Sequence, residues 1–185
     1  MKIFIVYKSH DPGHLEQRLR EKTDLTLIAY GDISKYPLDG YLYFSQGVLK
    51  LQLISVARMG PLFVSFNQLE RRAKDSLFQQ GLIKAVGIGK GKRPSIVDGT
   101  AGLGSDSFLM ASTGSTVSLF ERNSIIYELL SDGLRRYESK GPNAQGVLRR
   151  MHLEKRDFLK CEDLKASHEV VYLDPMFPIT KKNSL

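Results

Sequence analysis

"SIVDGTAGLGSDSF", residues 95–108, decides how this chain folds. A short apolar run ends at the carboxylate of Asp98. Gly99, Gly102 and Gly104 follow, and a helix is expected to open at Asp106 and run to Ser112. A buried strand, a glycine turn and a helix in that order form the first half of a strand–helix–strand unit. Glycines in such a turn reach positive φ and leave bare backbone against which a ligand can sit. The helix N-terminus adds unpaired N–H groups for an anionic ligand group.

Working outward, the same rhythm repeats. "TVSLFE" at 116–121 reads as a strand and Ser124 to Lys140 as a helix. Further strands are expected near Met151–Glu154 and at "EVVYLD", 169–174. Strands alternating with helices imply a parallel α/β sheet with crossover helices, a Rossmann-like arrangement. With "SIVDG" as first strand and "EVVYLD" as fourth, the two are neighbours where strand order reverses. Ligands bind outside the carboxyl ends of strands at such a point.

Before residue 67 the texture is different. "KIFIVY" (2–7), "LTLIAY" (25–30), "YLYFS" (41–45), "VLKLQLIS" (48–55) and "PLFVSF" (61–66) are strand candidates, with a short helix over 12–22. In 48–55, Leu49, Leu51 and Leu53 alternate with Lys50 and Gln52, the pattern of a half-buried strand. Residues 1–66 are therefore expected to form a small strand-rich α+β unit with its own sheet. Residues 67–92 read as a helical connector with Leu69, Ala73 and Leu77 on one face. The connector closes in the Gly/Lys linker "GKGKRP" at 89–94, and the ligand-binding domain occupies 93–185.

Composition narrows the function classes. Lysine and arginine outnumber aspartate and glutamate 27 to 20, a net charge of +7, which favours a polyanionic partner, nucleic acid before membrane. The single cysteine, Cys161, excludes an internal disulfide and fits a reducing compartment. No run reaches the ~18 apolar residues of a membrane span. The longest candidate, Tyr41 to Phe66, is interrupted by Lys50, Arg58, Gly60 and Pro61. A cytoplasmic protein is expected. No metal site is expected either: His10 and His14 are four apart, but Pro12 and Gly13 intervene and no third ligand is near. Basic groups at Arg71-Arg72-Lys74, Lys90-Lys92-Arg93, Arg135-Arg136-Lys140, Arg149-Arg150 and Lys181-Lys182 are candidates for tracking phosphates.

Two carboxylates point to the chemistry. Glu121 ends the strand after the glycine loop, about 20 residues on, where a carboxylate accepts the hydroxyls of a ribose. The spacing suits a nucleoside without a pyrophosphate, lying against Asp98, Gly102 and Gly104. The second, Asp174, opens Asp174-Pro175-Met176-Phe177 at the end of the fourth strand. An exocyclic amine of a base is a poor nucleophile, because its lone pair is delocalised into the ring. A carboxylate or carbonyl accepting its hydrogens favours the tetrahedral nitrogen of the transition state, and Phe177 can stack the base. The other reading makes the stretch a structural strand stop with Phe177 in the core.

The glycine loop resembles the first motif of class I S-adenosylmethionine-dependent methyltransferases, with Thr100 in place of the usual first glycine. Asp174–Phe177 resembles the D/N-P-P-Y/F motif of amino methyltransferases, with Met176 for the second proline. "KAVGI" (84–88), "IVDGTAGLGSD" (96–106), "LFERNSIIYELLSDGLRR" (119–136) and "VVYLDPMFPITKKNSL" (170–185) together are similar to the RsmJ family. Its members are bacterial 16S ribosomal RNA guanine 2-amino methyltransferases acting near the RNA's 3′ end. The resemblance covers about 70–185. It implies S-adenosylmethionine as cofactor, contacted by Ser105, Asp106, Glu121, Arg122, Arg156, Asp157 and Asp174, and ribosomal RNA as partner. Two departures stand out: Ser105 replaces the family's Arg, and "KDSLFQQG" replaces a Gly-rich basic loop. Asp157, after the third strand, has two readings, a contact to the adenine amino group or a helix N-cap. The family's sheet has seven strands and only four are expected after Pro94, so the chain is expected to lack the C-terminal part of that domain. Two alternatives stay open: an amino methyltransferase acting on another base or a protein amide, and an inactive RNA-binding fragment.

Overall fold

A computed structural model of the protein describes residues 1–8, 13–54, 60–67, 69–71, 77–89, 91–161 and 168–175. Among the described residues, eight strands form two sheets of four. β1 (Ile3–Tyr7), β2 (Leu27–Ala29), β3 (Gly40–Ser45) and β4 (Val48–Leu53) build the first, in the order β2-β1-β3-β4. β1 runs parallel to both neighbours, and β3 and β4 form an antiparallel hairpin. Its turn passes through Gln46 and Gly47, both at positive φ. β5 (Ile96–Asp98), β6 (Val117–Phe120), β7 (Met151–Glu154) and β8 (Val170–Tyr172) build the second, in the order β7-β6-β5-β8, all parallel.

The second sheet has the expected layout. After β5 the chain winds through β6 and β7 on one side, then returns to place β8 on the other. Ile96 faces Val170 and Asp98 faces Tyr172 across the reversal. One face packs on α3 (Ser105–Ser112), α4 (Ser124–Glu138) and α5 (Pro142–Leu148), joined to the core of the first sheet. The other face carries a smaller cluster of Val97, Phe120, Phe158 and Cys161. Helix α4 is capped as its sequence dictates: the Asn123 side chain accepts from the N–H groups of Ile125 (2.9 Å) and Ile126 (3.2 Å).

Helix α1 (His14–Thr23) and helix α4 cover one side of the first sheet. The seam is polar as well as apolar. Asp132, buried on α4, accepts from the Leu49 N–H (3.1 Å), Arg135 Nη2 (2.7 Å) and Arg136 Nε (2.7 Å). Both arginines thus balance a buried carboxylate, so this basic cluster holds the fold. Arg150 Nε likewise donates to the Ala111 carbonyl at 2.9 Å, and Arg93 Nε to that of Thr113, satisfying the last carbonyls of α3.

Residues 61–66 depart from the expected strand. Leu62 makes one antiparallel bridge to Leu51, with N–H···O distances of 2.9 and 2.8 Å, and the pairing ends there. Val64 and Phe66 turn into the core, and Arg136 Nη2 takes the Val64 carbonyl at 2.6 Å in place of a strand partner. Phe66 stacks on Phe108 at 4.7 Å and meets Tyr137 edge-on at 5.6 Å. Gly133 on α4 permits the approach: a Cβ there would collide with Val64 Cγ1 and Cβ. Gly133→Ala is therefore expected to destabilise the protein by about 1–3 kcal/mol through overpacking. The measurement is the shift in urea midpoint, and an unchanged midpoint would refute this reading of the seam.

Other strand ends coincide with expectation or differ from it by one or two residues. In the connector, residues 67 and 69–71 are helical, a 3-10 turn spans Leu77–Gln79 and a one-turn helix α2 spans Gly81–Ala85, with Gln80 as the break between the last two. Helix α5 was not expected. Its sequence, PNAQGVL, holds a proline and a glycine, but Pro142 sits in the first turn, where no N–H is needed. Packing of Ala144 and Val147 into the main core supplies the rest.

Candidate active site

The loop after β5 is fixed by bonds at almost every residue. Asp98, fully buried at the strand end, accepts from Ser107 Oγ at 2.5 Å and from the Thr100 N–H at 3.1 Å. Gly99 N–H donates to the Tyr172 carbonyl (3.0 Å) and Ala101 N–H to that of Phe120 (3.1 Å), so the loop is stitched to both adjacent strands. Gly102 and Gly104 have φ of 54° and 74°, the left-handed region that glycine enters without strain. At Gly104 a side chain would also strike Leu130, whereas a Cβ at Gly102 would meet only the Thr100 carbonyl at 3.8 Å. Gly102 thus presents open backbone.

Glu121 faces that backbone. Its Oε2 accepts from the Gly102 N–H at 3.1 Å, and its Oε1 from the Asn123 N–H at 2.6 Å. Each oxygen keeps acceptor capacity, so a pair of vicinal hydroxyls laid against Gly102 would find a charged acceptor. These acceptors therefore fit the ribose hydroxyls of a nucleoside cofactor.

Across the reversal, the backbone N–H of Asp174 donates to Thr100 Oγ1 at 2.7 Å. Tyr172, the last residue of β8, donates its hydroxyl to Asp106 Oδ2 at 2.6 Å. Burial and this bond to a carboxylate push the Tyr172 phenol well above its ordinary value. The first turn of α3, the glycine loop and the start of the Asp174-Pro175 turn are therefore held together by two side-chain bonds.

Asp98 is perturbed as well. Burial pushes its carboxyl from 3.8 to about 6, with Asp106 and Glu121 adding to the rise, although the Ser107 and Thr100 bonds oppose it.

Of the residues singled out in the sequence, Asp98, Gly102, Gly104, Asp106, Glu121 and Asp174 gather around the carboxyl end of β5. Ser105 is exposed at the head of α3 and Pro175 is exposed after Asp174. Arg122, Arg156 and Asp157 lie at the carboxyl ends of β6 and β7. Arg122 Nη1 is 3.7 Å from Asp157 Oδ2, and Arg156 Nη1 is 3.4 Å from Glu154 Oε2. Asp157 Oδ1 also accepts from the Leu159 N–H at 3.2 Å, the capping contact that its second reading anticipates. Met176 and Phe177, with His10, Arg72, Lys74, Lys90, Lys181 and Lys182, lie outside the described residues.

Sequence reasoning missed Thr100, Ser107 and Tyr172. Thr100 counted only as a replaced glycine. For Tyr172 a signal existed: in the strand read from the sequence over 169–174, alternation puts it on the side of Asp174.

Among the described residues no helix is long and apolar enough to cross a membrane, and no group of three or more His, Cys, Asp or Glu side chains is placed to hold a metal.

Comparison with known proteins points the same way. Residues 33–185 match the model of a family described as SAM-dependent methyltransferase. A "Ribosomal RNA small subunit methyltransferase J" from Thioalkalivibrio sulfidiphilus is 38% identical over 190 residues, spanning all of this chain and 72% of that protein. One of the same name from Dechloromonas aromatica is 39% identical over 142 residues, 74% of this chain and 58% of that protein. A third, from Tolumonas auensis, is 36% identical and matched over 59% of its length. Among solved structures, a SAM-dependent methyltransferase from Neisseria gonorrhoeae superposes with a TM-score of 0.70. The match covers 95% of this chain and 70% of that one at 23% identity, a likeness of fold.

Proposed function

We propose, from the premise that this chain belongs to the SAM-dependent methyltransferase family, that it methylates ribosomal RNA of the small subunit. The target is the exocyclic 2-amino group of a guanosine near the 3′ end of 16S RNA, and the compartment is the cytoplasm. The observation that carries the reading is the pairing of Glu121 against Gly102 on one side of β5 with Asp174 tied to Thr100 on the other. The names of the relatives support the substrate class.

When bound, S-adenosylmethionine supplies an electrophilic methyl group on a sulfonium sulfur. Glu121 would accept the ribose hydroxyls, and the bare backbone at Gly102 would lie along the nucleoside, with Gly104, packed on Leu130, setting the turn. Asp106 would line the far end of the same groove, beside Ser105, and Asp98, buried beneath the loop, would hold its shape through Thr100 and Ser107. Asp157, with Arg122 and Arg156 nearby, would face the adenine. Asp174 would accept hydrogens of the guanine amine as its nitrogen becomes tetrahedral, and take up the proton that is released. Pro175 would hold the next carbonyl in place as a second acceptor, and Phe177 would stack the base. Alignment of the two reactants accounts for about 7–11 kcal/mol of barrier reduction. Turning the guanine out of a stack costs a few kcal/mol.

The test is methyl transfer from labelled S-adenosylmethionine to small ribosomal subunits, with mass mapping of the product. Label on a 2-amino guanosine near the 3′ end is expected. Label on adenine or on protein would overturn the substrate assignment, and no label anywhere would overturn the activity.

Thr100 gives a finer test. Thr100→Val keeps the shape and removes the acceptor for the Asp174 N–H. It is expected to lower kcat about 2- to 10-fold, the worth of one neutral hydrogen bond. KM for S-adenosylmethionine should stay near its original value. Thr100→Ser should restore the rate, and a Ser variant as slow as Val would remove Thr100 from the positioning of Asp174.

A further inference from the structure

The first sheet has a second side that takes no part in the site. Strand alternation and register put Tyr41, Tyr43, Lys50 and Gln52 on the side opposite α1 and α4, because Tyr41 pairs with Gln52 and Tyr43 with Lys50. Over β1 and β2 this side is covered: Val6 and Ile28 are buried there and Phe4 packs on Tyr36 at 5.5 Å, beside a 3-10 turn at Tyr30–Lys35. Over β3 and β4 no α-helix among the described residues covers it. An ordinary solvent face of a sheet carries threonine, lysine and glutamate, whereas this one carries rings. Tyr41 and Tyr43 lie 5.6 Å apart, centroid to centroid. Tyr30, 54% exposed, and Phe63, 43% exposed, flank them. Each of the flanking rings has an ammonium over its face. Lys8 Nζ is 5.3 Å from the Tyr30 centroid, and Lys50 Nζ is 5.6 Å from that of Phe63. Val6, Lys8, Tyr30, Tyr41 and Tyr43 enclose a shallow pocket between the strands. The neighbouring acid, Asp32, is held by Lys35 at 2.6 Å.

We infer that this face, over β3 and β4, is a stacking platform for single-stranded RNA. The inference rests on the ribosomal RNA reading above. Rings on a sheet present flat surfaces that any base can stack on, and an ammonium beside a ring meets the phosphate next to a stacked base. The net charge of +7 gives the protein as a whole the matching sign. The carboxylates of the active site lie on the other sheet, so the platform adds affinity for RNA without touching the reacting groups.

The experiment is fluorescence anisotropy with a labelled single-stranded oligouridine and a labelled RNA duplex of equal length, using the full chain. The wild type is expected to bind the single strand more tightly than the duplex. Tyr41→Leu and Tyr43→Leu, which keep apolar bulk without a ring, should each weaken single-strand binding about 5- to 10-fold. The corresponding Phe variants should bind as the wild type does. Lys50→Gln, at a half-buried position, and Lys8→Gln, at an exposed one, should each lower the slope of log affinity against log salt by about 0.7. These lysine variants carry the test if a Leu variant melts early. Leu and Gln variants that all bind like wild type would overturn the platform and leave the ribosomal reading standing. A wild type that binds neither RNA would overturn both. A dimer in sedimentation that the Leu variants dissolve would assign the face to a second copy and overturn it too.

Discussion

Asp174→Asn is expected to slow methyl transfer on the order of 10²–10³-fold, the loss seen when one transition-state hydrogen bond to a developing charge is removed. Asp174 is exposed, and its contact with the glycine loop is made by its backbone N–H, which Asn retains. Folding should therefore survive, and the melting temperature should move little. The amide still offers one acceptor oxygen but carries no charge and cannot take up the proton. Single-turnover kinetics with saturating RNA isolate the chemical step from binding. A variant with normal single-turnover rate would leave the Asp174-Pro175 turn as a strand stop. A variant that loses RNA affinity with an unchanged chemical step would give Asp174 a binding role.

The contrast between Asp174 and Thr100 shows what the sequence could reveal. Asp174 was legible because strand, loop and carboxylate occur in order within a few residues, and that order fixes which edge of the sheet they share. The neighbour relation of β5 and β8 followed from the rhythm of strands and helices, and the structure has it, with Ile96 opposite Val170. Thr100 looked like a flaw in a glycine motif. Its hydroxyl acquires a role only when β8 arrives from 74 residues away, a contact set by topology and invisible to local pattern. The first sheet teaches the same lesson. Leu49 and Asp132 are 83 residues apart, and nothing local marks the aspartate as a partner for a strand N–H. "PLFVSF" has strand propensity throughout, yet only Leu62 pairs, because Val64 and Phe66 gain more from the aromatic core beneath α4 than from continuing an edge. Propensity describes a residue that fits a pleated surface, and here a better apolar surface lay off the sheet.

Asp98→Asn is expected to stabilise the protein, and to do so only above a certain pH. In the native state the Asp98 carboxyl titrates at about 6, against an ordinary 3.8. Below 3.8 the group is protonated in both the folded and the unfolded chain, and burial exacts nothing. Between 3.8 and about 6 the unfolded chain releases its proton while the folded one keeps it, so stability falls as pH rises. Above 6 the buried charge costs the fold about 3 kcal/mol, the worth of a shift of roughly two units. Asn has no such titration, and its oxygen and amide can still pair with the Thr100 N–H and with Ser107. Its melting temperature should match the wild type near pH 4 and rise above it by about 6–12 °C at pH 7.5, taking ~2–4 °C per kcal/mol for a chain of this size. Thermal melts of both proteins across that range decide the matter. An Asn variant less stable than wild type at pH 7.5, or displaced by a constant amount at every pH, would refute the buried-charge account. A carboxylate kept in place against such a cost belongs where charge is used. The stabilised variant is accordingly expected to bind S-adenosylmethionine more weakly, and calorimetry at pH 7.5 would separate the gain in stability from the loss of affinity.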